Sequence, residues 1–375
     1  MTGRIVALDA ARVRVSDRTE WTFIRVRTDC DRVGIGECSD SGSLAELCAA
    51  LAAAEPAIRG LHVPRDRSVL QQRLRSQLAA FAPLTSRTVT GALGLALWDL
   101  TGQMLEIPLW ALFDGDSAPE PVRLYANINR AVIDRRPASF GVVAAAAVAD
   151  GFTAVKCAPF DAHGLDPKQR RLVGVAAISE VRAAVGEDTT VLVDLHHQLT
   201  YDDLLAILPD LERYNVGWLE DAVELDRPDR VFDLARRTVI PLAGGELAAT
   251  PSDVVPALMG KGLAVVLPDI KHAGGPSKVR DIAVVAAALG AEVSLHNPTG
   301  PVATAASVHL VGALPAFTVL EFAYGEASHR GELINPVERP LAGALAVPDG
   351  PGLGVSFDDS RVQFGPPRSL IAPPQ

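Results

Sequence analysis

From Pro121 to about residue 323 the chain repeats one unit, and no other feature narrows its fold so far. Short apolar runs of strand character recur as VRLYAN, FTAVKC, TVLVDL, VGWLE, PLAGGE, AVVLPD, EVSLHN and TVLEF. Most gaps between them carry an amphipathic helical pattern, such as LDPKQRRLVGVAAISEVRAAVG at 165–186. Apolar runs alternating with helices belong to parallel strands buried on both faces. Eight of them predict a closed β/α barrel rather than an open sheet. No GxGxxG follows a strand and no GxxxxGK[ST] occurs, so nucleotide binding has no support.

The first 45 residues alternate differently. RIVALDAARVRV, EWTFIRVRTD and VGIGEC read as antiparallel strands, and helical stretches follow near 43–56 and 87–104. That predicts an α+β unit at 1–118, then the barrel at 119–335. The Pro- and Gly-rich segment 336–375 is expected to return to the first unit. Hydrophobic residues make up 48% of the chain and aromatics 5%. The excess is Ala, Val and Leu, which suits packed helices and parallel strands, and a core of this size needs no disulfide. Cys30, Cys38, Cys48 and Cys157 show no CxxC spacing and read as free thiols of a reducing compartment. The N-terminal MTGRIVALDAARVRV lacks the apolar core of a signal peptide. No run approaches the roughly 18 apolar residues of a membrane span. A cytoplasmic protein is expected, and the net charge of −10 argues against nucleic-acid or anionic-membrane partners.

In such barrels chemistry gathers at the C-terminal strand ends. Here those ends carry Tyr125, Asn127 and Asn129, then Lys156, Asp194, Glu220, Glu246, Asp269, His296 and Glu321. Side chains at i and i+2 of a strand share a face. His196 can therefore join Asp194 at the mouth, while Leu195 and His197 face the helices. Asp269 pairs likewise with Lys271. Asp194, Glu220 and Glu246, on consecutive strands, cannot all stay ionised without a counter-charge. A hard divalent ion with oxygen ligands supplies it, Mg²⁺ with Mn²⁺ as the alternative.

The ordered set resembles the enolase superfamily, in its mandelate racemase-like branch, over nearly the whole chain. It comprises VLVDL, GWLED and PLAGGE, whose acids stand 26 residues apart each time, then LPDIKHAGG, SLHNPTGP and VLEF. The resemblance implies a (β/α)₇β TIM-like barrel with an N-terminal α+β capping domain completed by the C-terminal segment. It implies a metal triad of Asp194, Glu220 and Glu246, and an α-proton base His296 oriented by Asp269. Lys156 would contact the substrate carboxylate, and a protonated Glu321 would hydrogen-bond its other oxygen. The branch often carries Lys-x-Lys on the second strand. This chain has Ala158 at the second position, which disfavours a two-base racemase. Asp194-x-His196 resembles the galactonate and mannonate dehydratases, where such a histidine protonates the departing β-hydroxyl. The mannonate group's Arg/Tyr pair after strand two is not evident in KCAPFDAHG.

The expectation is a homo-oligomeric, Mg²⁺-dependent hydro-lyase acting on a small hydroxylated acid, a sugar acid in the first instance. Asn127, Asn129 and Lys271 are candidate substrate contacts. Loops near 16–21 and 38–43 are expected over the site. An epimerase or cycloisomerase using Lys156 or Lys271, and a binding protein without turnover, are the alternatives. Product analysis separates them.

Overall fold

The computed structural model describes residues 2–113 and 118–371. Residues 1, 114–117 and 372–375, on which the outer limits of the expected first and last units fall, lie outside the described residues. The chain opens with β1 (Gly3–Arg14), β2 (Glu20–Thr28) and β3 (Val33–Glu37). They pair antiparallel in the order β3-β2-β1-β4, with β4 the short His62–Val63. Three helices cover this sheet, α1 (Leu44–Ile58), α2 (Leu70–Leu78) and α3 (Pro83–Leu105), where the sequence pattern suggested two. The missed α2, LQQRLRSQL, buries only Leu70, Leu74 and Leu78. An i, i+4, i+8 stripe that narrow in a polar run is a weak periodic signal. The VGIGE run of β3 has a packing reason. A Cβ on Gly34 would sit 2.2 Å from Ala96 O, and one on Gly36 2.2 Å from Ala92 O, so only glycine lets α3 lie this close.

Eight parallel strands then close on themselves. They are β5 (Val122–Asn127), β6 (Ala154–Cys157), β7 (Thr190–Asp194), β8 (Val216–Glu220), β9 (Leu242–Gly244), β10 (Val265–Val266), β11 (Glu292–Leu295) and β12 (Phe317–Ala323). Each pairs with the next, and β12 pairs back to β5 from Leu320↔Leu124 to Ala323↔Asn127. Between them run α4 (Pro137–Ala149), α5 (Pro167–Val185), α6 (Tyr201–Arg213), α7 (Pro228–Ala235), α8 (Val255–Met259), α9 (Pro276–Ala288) and α10 (Pro301–Ala313). Local chemistry sets their starts. Asp166 accepts from the Gln169 amide at 2.8 Å while Gln169 accepts from the Asp166 amide at 3.2 Å, and Pro167 opens the helix. No helix of the described residues is long and apolar enough to cross a membrane.

The last residues return to the first sheet. Ala10 N donates to Gly365 O at 2.7 Å and Gly365 N to Ala10 O at 3.0 Å. Phe357 packs on Phe23 with ring centres 5.0 Å apart.

Glu37 joins sheet and barrel. Fully buried at the end of β3, its carboxylate accepts from Ser39 Oγ at 2.8 Å, Thr299 Oγ1 at 2.5 Å, Gly300 N at 2.7 Å and Ala303 N at 2.9 Å. The last two are free amides at the start of α10, so an acid from the first unit caps a barrel helix and meets its positive end. Glu37→Ala strands those donors in a dry interface. It should lower unfolding stability by about 3 kcal/mol, read from the shift of the urea midpoint. An unchanged midpoint would show that water replaces the carboxylate.

Candidate active site

The barrel interior is built in layers two residues apart. Tyr125, Leu192, Trp218, Val265 and Leu267, with Ala154 and Val319 against them, form an apolar floor. Two residues further along their strands stand Asn127, Asp194, Glu220, Asp269, Lys156 and Glu321. Strand alternation therefore lifts a polar layer directly onto the floor. β10 is only two residues long, so Asp269 stands beyond it, held by a parallel bridge to His296. Glu246 does not follow the alternation. Ala243 belongs to the floor, and the next inward position falls on Gly245, whose φ of +109° turns the chain and delivers Glu246 one residue late.

Lys156 sits at the centre, 1% exposed. Its Nζ lies 2.7 Å from Glu220 Oε1, 2.8 Å from Glu321 Oε1 and 3.8 Å from Asp194 Oδ2. Burial pulls the ammonium down, but Glu220 and Glu321 outweigh it and hold Lys156 charged, well above its ordinary value. Asp194 and Glu220 are register partners on β7 and β8. Glu246 turns away from them to His296 Nε2, at 2.8 Å. Five carboxylates, Asp194, Glu220, Glu246, Asp269 and Glu321, thus outnumber the cationic groups among them, the ammoniums of Lys156 and Lys271 and the carboxylate-bound rings of His196 and His296. The all-oxygen donor set of the first three and this surplus of buried negative charge fit a hard divalent cation. Among the described residues, the three such ligand atoms drawn within 4.8 Å of one another are instead those of Asp269, His272 and His296. There Lys271 Nζ, 2.8 Å from Asp269 Oδ2, already supplies the positive charge.

His296 Nδ1 is 2.9 Å from Asp269 Oδ2. Asp269 is fully buried and its Oδ1 also accepts from Lys271 N at 2.7 Å. Burial pushes the Asp269 carboxyl up, but His272, Lys271 and His296 carry it well below the usual range. His272, missed in the sequence, packs its ring 6.2 Å from that of His296. Burial, the largest influence, lowers the pKa of His272 below its ordinary value.

Glu321 differs from expectation. Asn127 Nδ2 donates to its Oε1 at 2.6 Å, Lys156 lies beside the same oxygen, and Asn297 N donates to Oε2 at 2.7 Å. Burial pushes this carboxyl up, yet Lys156 and His296 more than offset it, and the pKa falls below its ordinary value. Ringed by donors, Glu321 is an acceptor here rather than the protonated donor the crowded acids suggested. Asn127 and Lys271 are correspondingly committed to Glu321 and Asp269. Asn129 gives Nδ2 to Asp161 at 3.2 Å and takes Arg135 Nη1 on Oδ1 at 2.6 Å. All three candidate substrate contacts are thus engaged by protein groups.

His196 reaches the mouth by a turn, not by strand alternation. β7 ends at Asp194, and His196 and His197 have φ of 42° and 51°. Left-handed backbone at a residue other than glycine costs on the order of 1–3 kcal/mol and collects at functional sites. The His196 amide donates to Asp194 Oδ1 at 3.0 Å, which stabilises the turn. Its ring spans two acids, Nε2 at 2.8 Å from Asp194 Oδ2 and Nδ1 at 2.9 Å from Asp161 Oδ1. Burial lowers the imidazole, but the bonds to Asp161 and Asp194 outweigh it and raise it from 6.5 to about 11. His197 does not pack on the helices. The same turn leaves it half-exposed, 3.8 Å from Asp221. The expected capping loops lie over the mouth. Asp40 meets Arg130 at 3.3 Å, and Ser16 Oγ donates to Glu326 at 3.2 Å.

A closed barrel with acids on consecutive strand ends and a carboxylate-bound histidine across from them defines the class, and comparison agrees. The family profile described as Enolase C-terminal domain-like matches residues 141–361, more than half of the chain. The chain belongs to the enolase superfamily, in its mandelate racemase-like branch. It is 27% identical over 349 residues to a D-galactonate dehydratase of Ralstonia pickettii, covering 91% of this chain and 90% of that one. It is 26% identical over 369 residues to a D-xylonate dehydratase of Haloferax volcanii, covering 95% and 87%. An enolase-superfamily crystal structure from Salmonella Typhimurium shares the fold with a TM-score of 0.87 and 20% identity, covering 97% and 99%.

Proposed function

We propose that this chain is a hydro-lyase that removes water from a sugar acid to give a 2-keto acid. One observation carries the reading. His196 follows β7 and His296 follows β11, four strands apart in a ring of eight, so two carboxylate-bound imidazoles face each other across the acids. β-Elimination needs that pair, a base at the α-carbon and an acid at the β-hydroxyl. The names of the relatives, galactonate and xylonate dehydratase, point to the same substrate class.

His296, with Nδ1 on Asp269, would take the α-proton at Nε2 once Glu246, 2.8 Å from that nitrogen here, is held by the cation instead. Asp269 fixes the tautomer and stabilises the imidazolium that forms. A divalent ion held by Asp194, Glu220 and Glu246, Mg²⁺ or Mn²⁺, would supply Lewis-acid stabilisation for the charge developing on the substrate carboxylate. Lys156 offers its ammonium to the same charge, and Glu321 holds Lys156 in place. His196 gives the Nε2 proton to the departing hydroxyl, and the resulting enol tautomerises to the keto acid. The loops at 16–21 and 38–43 face the distal hydroxyls. An epimerase is less well supported, because Ala158, at the second position of the strand-two Lys-x-Lys pattern, carries no proton.

His196→Asn tests the assignment. Dehydration of D-galactonate and D-xylonate should fall by about 10²–10⁴-fold, the usual loss for a general acid. Exchange of the α-proton with solvent deuterium should persist, because His296 returns the deuteron it acquires. Following both by NMR in one sample decides. Equal loss of the two steps, or retained dehydration, removes His196 from the acid role.

A further inference from the structure

β8 turns two side chains in succession into the barrel, Trp218 and Glu220, while Leu219 between them packs in the outer core. The indole leans along its own strand, and Nε1 donates to Glu220 Oε2 at 3.3 Å. The other oxygen, Oε1, takes the Lys156 ammonium at 2.7 Å. Each oxygen of this acid thus has its own donor, and the carboxylate is held at both corners. The indole is braced in turn. Trp218 is 7% exposed in the apolar floor, and the Tyr125 ring meets it edge-on, with centres 5.5 Å apart and planes at 86°. Other buried indoles of this chain are not used in this way. Trp98 gives its N–H to the Ser277 hydroxyl, and those of Trp21 and Trp110 have no protein partner among the described residues.

We propose that Trp218 is a positioning residue for the divalent-cation site, orienting the Glu220 carboxylate through its Nε1–H. The proposal rests on the reading of Asp194, Glu220 and Glu246 as the ligands of that cation. A glutamate side chain is long, and one that is free to turn loses rotamer freedom when it binds. The two donors on Glu220 differ in what they do to its charge. Lys156 brings a positive charge, which opposes a second cation at the same acid. Trp218 is neutral and can only donate. It therefore sets the plane of the carboxylate and leaves the negative charge whole. Its bond occupies one lone-pair site of Oε2, and each carboxylate oxygen offers about two. Without the N–H, a buried oxygen would lack its donor and the carboxylate would be held at one corner alone. Loss of an outer partner of this kind typically weakens metal binding by about 10–100-fold.

The test uses the full chain without substrate, stripped by chelator and titrated with Mg²⁺ and with Mn²⁺ by calorimetry. Trp218 is replaced by β-(3-benzothienyl)alanine, in which sulfur stands where the indole has its N–H and the ring outline is kept. The Kd for Mg²⁺ should rise about 10–100-fold. The rise in melting temperature on adding Mg²⁺ should shrink, while the metal-free protein melts within a few degrees of the wild type. Trp218→Phe, which also opens space in the floor, should weaken the cation at least as much. Spectroscopy supplies a second measurement. In ¹⁵N-tryptophan-labelled protein, the Nε1–H signal missing from Trp218→Phe should shift as Mg²⁺ saturates the wild type. Mg²⁺ affinity within about twofold of the wild type in the benzothienylalanine protein overturns the proposal and leaves Trp218 a packing residue, with the metal reading intact. So does an Nε1–H signal that ignores Mg²⁺. If neither Mg²⁺ nor Mn²⁺ binds the wild type, the reading of the three acids fails and the proposal falls with it.

Discussion

His296→Asn should cut α-proton exchange by about 10²–10⁴-fold, and dehydration with it, while leaving the barrel and its cation affinity intact. The expectation follows from sequence of events as well as from geometry. The α-proton must leave before the β-hydroxyl can, so loss of the base stops both steps. Loss of His196 stops only the second. Asparagine is close to histidine in size and keeps a polar group near Asp269, so the buried carboxylate retains a donor besides Lys271. The variant should melt within a few degrees of the wild type. The decisive measurement is deuterium incorporation at the α-carbon of a turned-over sugar acid. Undiminished exchange in His296→Asn rules the residue out as the base, and Lys156 becomes the group to examine.

Removal of divalent cations should have an effect as large. Excess chelator should abolish exchange and dehydration together, and added Mg²⁺ should restore both. The cause lies in the buried charge. Glu220 is 1% exposed and Asp194 3%, and burial, with Asp194 and Glu321 adding to it, drives the Glu220 carboxyl well above its ordinary value against the pull of Lys156. A cation bound to the folded state alone also stabilises it, by about 2.7 kcal/mol at a concentration a hundredfold above Kd. A rise of several degrees in melting temperature with Mg²⁺ should therefore accompany the activity. Glu220→Gln should weaken both responses. Full turnover in excess chelator would falsify the metal assignment.

Much of this protein is determined by local rules. The strand repeat after Pro121 specifies a parallel sheet covered by helices on its buried faces, and eight such strands are the number that closes into a barrel. Alternation along each strand places Asn127, Lys156, Asp194, Glu220, Asp269 and Glu321 one layer above the apolar floor. Neither needs information beyond the order of residues. Other features were decided only by the tertiary structure. Glu246 arrives through the turn at Gly245, and His196 through left-handed backbone after the strand has ended, where alternation no longer applies. Glu321 is surrounded by donors from β5, β6 and the segment after β11, so its ionisation depends on neighbours far away in the chain. Asp161 was in plain view in KCAPFDAHG, but its contact with His196 spans 35 residues and two loops. A strand dictates where its side chains point because its backbone repeats. A loop does not repeat, and the pairing of two loops depends on the packing that brings them together.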